Sequence, residues 1–278
     1  MLTVRDGVLL SGMAAVQQIK SPNHGGAFAP PPGIVVIHYT VGSTALLTAK
    51  WFCNPANTSS SAHVVIDRDG SIIQCVNFGV VAWHAGKSSW DGLTGLNRYS
   101  IGIELANWGP LKGSGSQWLN GAGKAVADPF IGVHRNGNPN GSRTRIGWEA
   151  YPDAQVDAAV ALTLALKDVY PIKTVVGHDD IAPIRKSDPG PAFDMARFRS
   201  RVFDERKDDG GNIAVVDAPA GLNLRSGPGQ DYAVLELLKD KTVLEPLGQS
   251  GNWLEVTVLD ADHRPIRTGW VHTRYIRT

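Results

Sequence analysis

One stretch, Gly177–Pro191, reads GHDDIAPIRKSDPGP and gathers a histidine, three aspartates, a lysine and three prolines. Prolines limit the backbone freedom of such a loop. It follows the apolar run Thr174–Val176, and loops at strand ends are where metal ligands and catalytic groups tend to sit. Candidate metal ligands lie on separate elements: His38 closes the run IVVI, and His178 and Asp188 sit in the loop. Two imidazoles and a carboxylate fill three positions of tetrahedral zinc and leave the fourth for water, the pattern of a catalytic rather than a structural site. Zinc held this way brings the pKa of its water towards neutrality and polarises a carbonyl. Glu104, inside the apolar run SIGIEL, is the general-base candidate, because a carboxylate there is costly to bury without a partner or a purpose. Lys186 can offer its ammonium to a developing oxyanion. On spacing alone each group has an ordinary alternative: a hydrogen-bonded histidine, a salt-bridged strand carboxylate, a solvated loop lysine.

The elements that must position these groups are legible in outline. PPGIVVIHYT predicts a buried strand over Ile34–Ile37. Ser43 is read as the N-cap of a helix over Ala45–Phe52, which Asn54–Pro55 ends. SAHVVIDRDGSIIQCV predicts a hairpin turning at Asp69–Gly70. SIGIELAN is a further short strand, and Pro152 opens a helix through DAQVDAAVALTLALKDVY. A second helical stretch is expected near Asp194–Phe203. Residues 1–30 read as an irregular lead-in. Residues 107–150, rich in Gly, Asn, Ser and Arg, read as a lid or a groove rim. Composition changes at Arg206–Asn212, a linker candidate, beyond which short β-type runs predict a small barrel.

Composition narrows the function classes. A chain of 278 residues suits one large domain, or a catalytic domain with a small module. The 27 basic residues nearly cancel the 26 acidic ones, so nothing argues for nucleic acid as a partner. No apolar run is long enough for a membrane span. Cys53 and Cys75 form no CxxC pair and read as two buried thiols rather than a disulfide. The N-terminus shows no Sec signal, which points to the cytoplasm or to a non-Sec route to the wall.

The blocks VVIHYT, SAHVVIDRDG, AWHAG, SIGIELAN and GHDDIAPIRKSDPGP stand in an order that resembles the zinc-dependent N-acetylmuramoyl-L-alanine amidases, the type 2 family that includes phage lysozyme and the peptidoglycan recognition proteins. The resemblance covers about residues 33–195. It implies an α/β fold, a mixed central β-sheet flanked by helices, over a catalytic domain of residues 1–206. It implies one catalytic zinc ion held by His38, His178 and Asp188, with Glu104 and Lys186 as catalytic residues and Tyr39 lining the site. The lysozyme and the animal proteins carry cysteine where Asp188 stands, so this chain looks closer to the bacterial branch. His63, His84, Trp90 and Trp108 are substrate-site candidates, each with a structural alternative, and Asp179 and Asp180 either orient a ligand imidazole or cap locally. Residues 213–278 resemble a bacterial SH3-like barrel, with Leu222, Leu224 and Val234 in its core, Gly227 and Gly229 in its turn, and Trp253 and Trp270 in core or groove. Such a module binds cell wall or docks on the catalytic domain. The implied reaction is hydrolysis of the amide between N-acetylmuramic acid and L-alanine, in intact peptidoglycan or soluble muropeptides. The alternative is a non-catalytic peptidoglycan-binding protein on the same fold.

Overall fold

The computed structural model describes residues 1–203, 213–260 and 265–277. Contacts divide the chain into two compact units, Met1–Phe203 and Asp204–Thr278. The linker reading at Arg206–Asn212 lies outside the described residues.

The first unit is built on a six-stranded mixed sheet. Its strand order is Thr174–Gly177, Ile34–Tyr39, Ser100–Leu105, Val64–Ile66, Ile72–Gln74 and Gln17–Gln18. The first four strands run parallel to one another, and the Val64–Ile66 and Ile72–Gln74 strands form the antiparallel hairpin expected from the sequence. Gly70 takes φ +83° at its turn, a conformation that costs glycine nothing. Parallel strands covered on both faces need near-continuous apolar sequence, which accounts for IVVI and TVV. Val35, Ile37, Ile101, Ile103 and Val175 pack with Ala159, Leu162 and Leu166 of helix Asp153–Lys167 and with Phe198 and Val202 of helix Met195–Phe203. Alternate residues Ile34, Val36 and Val176 join Ala85, Leu96 and Ile181, while Val65 and Ile73 join Ala45, Ala49 and Phe52 of helix Ala45–Phe52.

Several local readings are corrected. The Ala45–Phe52 helix is capped by Thr44, whose side chain accepts from the Leu47 amide at 3.2 Å, and not by Ser43. Both residues suit a cap, and the backbone path chose the nearer one. Residues 1–30 are not irregular: Leu2–Arg5 and Val8–Ser11 form a hairpin whose Leu9 is fully buried in the main core. The Gln74 amide fastens it, accepting from the Leu9 amide at 2.9 Å and donating to the Gly7 carbonyl at 2.8 Å. Strands of four residues are too short to register as a periodicity. Residues 107–150 contain short antiparallel strands, among them Lys112–Ser114 with Gln117–Leu119 and Phe130–Gly132 with Ile146–Trp148. Both cysteines are free; Cys75 is buried as expected, whereas Cys53 is half-buried. Among the described residues no helix is long and apolar enough to cross a membrane.

The second unit is a seven-stranded antiparallel sheet around a core that includes Leu222, Leu224, Leu244, Val256 and Val271. Val234, expected in that core, is 50% exposed, because the Val234–Leu238 strand buries only Leu238. Gly227 lies against the Tyr232 ring, where a Cβ would collide with it.

Candidate active site

Strand register assembles the site. In the parallel ladders Glu104 stands opposite His38, and Gly177 stands opposite Ile37, so His178 leaves its strand beside the end of the central one. All three groups therefore arise where parallel strands finish, the edge at which open α/β sheets place their ligands. The proline-rich loop then returns Asp188 to this edge. The Asp179 amide donates to the Asp188 carbonyl at 2.8 Å, Tyr151 Oη donates to the Pro189 carbonyl at 2.8 Å, and Tyr39 Oη shares a 2.7 Å hydrogen bond with Ser187 Oγ.

His38 Nδ1, His178 Nδ1 and Asp188 Oδ2 converge, each 2.9 Å from the other two. All three residues are buried. Burial, with His178 beside it, lowers the His38 pKa to about 4. Burial alone would raise the Asp188 pKa, but hydrogen bonds and charge from His178 and His38 override it and hold the carboxyl far below its usual range. His178 Nε2 faces the Ala85 carbonyl at 3.1 Å. A carbonyl only accepts, so Nε2 carries the hydrogen and Nδ1 presents a lone pair. A carboxylate and imidazole lone pairs crowded together out of water call for a cation, and an N, N, O donor set of this kind suits zinc. The residues present fit that ion.

Glu104 completes the cluster. Its Oε2 is buried and has no hydrogen-bond partner among the described residues. Burial pushes its pKa up to about 8, the charge of Asp188 adds to this, and Lys186 opposes it. An orphaned carboxylate oxygen facing a cleft is poised to take a proton from something that enters. The cleft has a volume of about 370 Å³, and Tyr39, Trp51, Trp83, His84, Arg185 and Lys186 line it beside the four groups above.

Other sequence candidates are not in this cleft. His63 is fully buried between Phe28 and Phe78, accepts from the Gly102 amide at 3.0 Å through Nδ1 and donates to the Val80 carbonyl at 3.0 Å through Nε2. Both ring nitrogens are thus engaged by the backbone, away from the cleft. Trp90 packs against the cluster around Ile34 and Ile181, and Trp108 lies over Gly121; neither lines the cleft. Asp179 and Asp180 touch none of the candidate ligand imidazoles through their side chains. Asp179 accepts from His134 at 2.9 Å and pairs with Arg135 at 2.8 Å, and Asp180 pairs with Arg135 at 2.7 Å and accepts from the Gly177 amide at 2.7 Å. The Ala85 carbonyl orients the His178 ring instead. His134 and Arg135 escaped the sequence reading because they lie in the aperiodic 107–150 segment. Trp51 had a legible signal: it sits on the helix face opposite Ala45 and Ala49 and is 50% exposed.

Comparison with known proteins follows the same outline. The chain is 40% identical over 157 residues to the 1,6-anhydro-N-acetylmuramyl-L-alanine amidase AmpD of Escherichia coli K12, a stretch covering 56% of this chain and 65% of that protein. It is 33% identical over 189 residues to the N-acetylmuramoyl-L-alanine amidase AmiD of the same organism, covering 63% of this chain and 55% of that one. The chain thus spans less than two thirds of either relative. A crystal structure of AmpD as its selenomethionine derivative superposes with a TM-score of 0.50 at 32% identity, over 73% of this chain and 99% of that one. Residues 220–277 match the bacterial SH3 domain. Residues 28–191, more than half of the chain, match the N-acetylmuramoyl-L-alanine amidase family, and the protein belongs to that family.

Proposed function

We propose that the Met1–Phe203 unit is a zinc-dependent hydrolase that cuts the amide between N-acetylmuramic acid and L-alanine in peptidoglycan-derived muropeptides. One observation carries this: three buried ligand atoms converge beside the orphaned carboxylate oxygen of Glu104. The names of the AmpD and AmiD relatives support the amide, and that of AmpD favours anhydro-muropeptides as the substrate class. His38 Nδ1, His178 Nδ1 and Asp188 Oδ2 would hold the ion. Bound zinc supplies Lewis acidity, polarising the scissile carbonyl and acidifying water. Glu104 takes the proton of the attacking water and returns it to the leaving amine. Lys186 opposes the negative charge that builds on the carbonyl oxygen. Tyr39, tied to Ser187, stiffens the wall of the cleft next to Asp188.

In the second unit a groove of about 510 Å³ is lined by Leu222, Asn223, Arg225, Trp253, His272 and Tyr275. An aromatic wall with polar neighbours suits a glycopeptide, and we assign this groove to cell-wall binding.

The test is mass spectrometry of products from soluble anhydro-muropeptides and from sacculi, with and without a zinc chelator. Release of the free stem peptide is expected, abolished by chelation. Glu104→Gln is expected to lose 10²–10⁴-fold in turnover, the range for general acid–base groups, with zinc still bound. Full turnover by that variant would remove Glu104 from the mechanism. Binding of muropeptides without any cleavage would favour the non-catalytic reading.

A further inference from the structure

His84 lines the cleft, yet its ring is committed to protein partners. Its Nδ1 lies 3.0 Å from His38 Nε2. Its Nε2 faces the Ser100 carbonyl and the Ser100 hydroxyl oxygen, both at 3.3 Å. The single hydroxyl hydrogen of Ser100 is spent on the Leu96 carbonyl at 2.6 Å. Both oxygens in front of His84 Nε2 are therefore acceptors, so that nitrogen carries the ring hydrogen, and in the neutral ring Nδ1 is left as a lone pair. A lone pair 3.0 Å from His38 Nε2 requires the hydrogen of His38 to sit on Nε2. His38 Nδ1 is then bare and faces Asp188 and His178.

The surroundings are shaped for this relay. Ser100, Gly102 and Glu104 lie on one face of their strand by its period of two. A Cβ at Gly102 would run into the His84 ring, so glycine makes the room in which the ring lies. The Asn97 side-chain oxygen accepts from the amides of both His84 (3.0 Å) and Ala85 (2.7 Å), which fixes the dipeptide. The Ala85 carbonyl in turn accepts from His178 Nε2 at 3.1 Å. One pinned dipeptide thus sets the hydrogen position on both imidazoles, through a side chain for one and a backbone oxygen for the other.

We propose that His84 is a positioning residue that locks His38 in the tautomer able to bind metal through Nδ1, and is not a substrate contact. The proposal rests on the reading of His38 as a ligand. The measurement is zinc affinity of the full chain by competition with a chromophoric chelator, for wild type, His84→Phe and His84→Asn. Phe keeps an aromatic ring but no acceptor, whereas Asn offers an oxygen near the position of Nδ1. His84→Phe is expected to bind zinc 10–100-fold more weakly, the usual effect of removing a partner of a ligating histidine. His84→Asn is expected to stay within about threefold of wild type if the acceptor is what matters. Nitrogen-15 NMR of the metal-free wild type, which needs no variant, is expected to show His38 protonated at Nε2 and bare at Nδ1. The proposal is overturned by the opposite tautomer, by unchanged affinity in a folded His84→Phe chain, or by equal losses in the Phe and Asn variants. A wild-type chain that binds no zinc would instead overturn the proposed function itself.

Discussion

His63 and His84 stand as neighbouring imidazoles, their ring centroids 5.8 Å apart, and they do different work. His63 is a core residue with both nitrogens satisfied and an aromatic ring on each side. Burial lowers its pKa to about 4, from an ordinary value near 6.5. The unfolded chain therefore takes up a proton at a higher pH than the folded one, so the neutral ring's contribution is complete above pH 6.5 and is lost as pH falls towards 4. At about 1.4 kcal/mol per pKa unit this amounts to roughly 3 kcal/mol. Denaturant titrations at pH 7.5 and pH 4 should show the stability gap between wild type and His63→Gln shrinking by about that amount, to the extent that Gln fills the same space. A gap that stays constant would mean that His63 does not titrate on unfolding. Glu104 illustrates a different cost: its orphaned oxygen is an expense that a purely structural carboxylate would have no reason to carry.

At the scale of elements, the candidate ligand loop is held at several points. Tyr39, in the cleft wall, bonds to Ser187, and Tyr151, packed against the main core, bonds to the Pro189 carbonyl. His134, Arg135 and Asn136 of the 107–150 segment fasten onto Asp179 and Asp180, with Asn136 Nδ2 donating to the Asp179 carbonyl at 3.2 Å. Since the Asp179 amide holds the Asp188 carbonyl, this segment supports the loop that carries Asp188. Residues of the segment expected as a lid or groove rim thus brace the loop, and none of the residues lining the cleft comes from 107–150. His134→Phe keeps a ring beside Trp148 but removes a buried partner of Asp179. Losing a hydrogen bond to a buried carboxylate costs about 1–3 kcal/mol. Chemical denaturation should show that loss, and limited proteolysis should show faster cutting within 107–150. A variant as stable and as resistant as wild type would mean that the brace contributes nothing.

At the scale of the whole molecule, the chain joins an amidase-family unit to a bacterial SH3 domain. The groove lined by Trp253, His272 and Tyr275 carries the proposed wall-binding role, with the Trp253 and His272 rings edge to face at 5.2 Å. Removing the indole takes away the largest aromatic surface in that groove. Trp253→Ala in the full chain is expected to weaken co-sedimentation with insoluble peptidoglycan about tenfold, the size of a 1–2 kcal/mol stacking loss. Cleavage of soluble muropeptides is expected to be unchanged. Undiminished sedimentation would assign the groove another role.

The sequence by itself determined the donor types, the strands that carry them and the family, because apolar runs, prolines and a long contiguous loop motif are local signals. His38, Glu104, His178 and Asp188 could all be named from it. Only the tertiary structure decided how these groups meet, since parallel register sets Glu104 opposite His38 across 66 residues of sequence and no local pattern encodes that pairing. It also separated His63 from His84, two histidines in similar apolar surroundings, by which carbonyls and amides each ring meets. It brought His134 and Arg135 out of an aperiodic segment to Asp179 and Asp180, through hydrogen bonds and ion pairs that leave no periodic trace. The chemistry of the donors is a property of residue types, whereas their hydrogen positions depend on the neighbours that folding supplies.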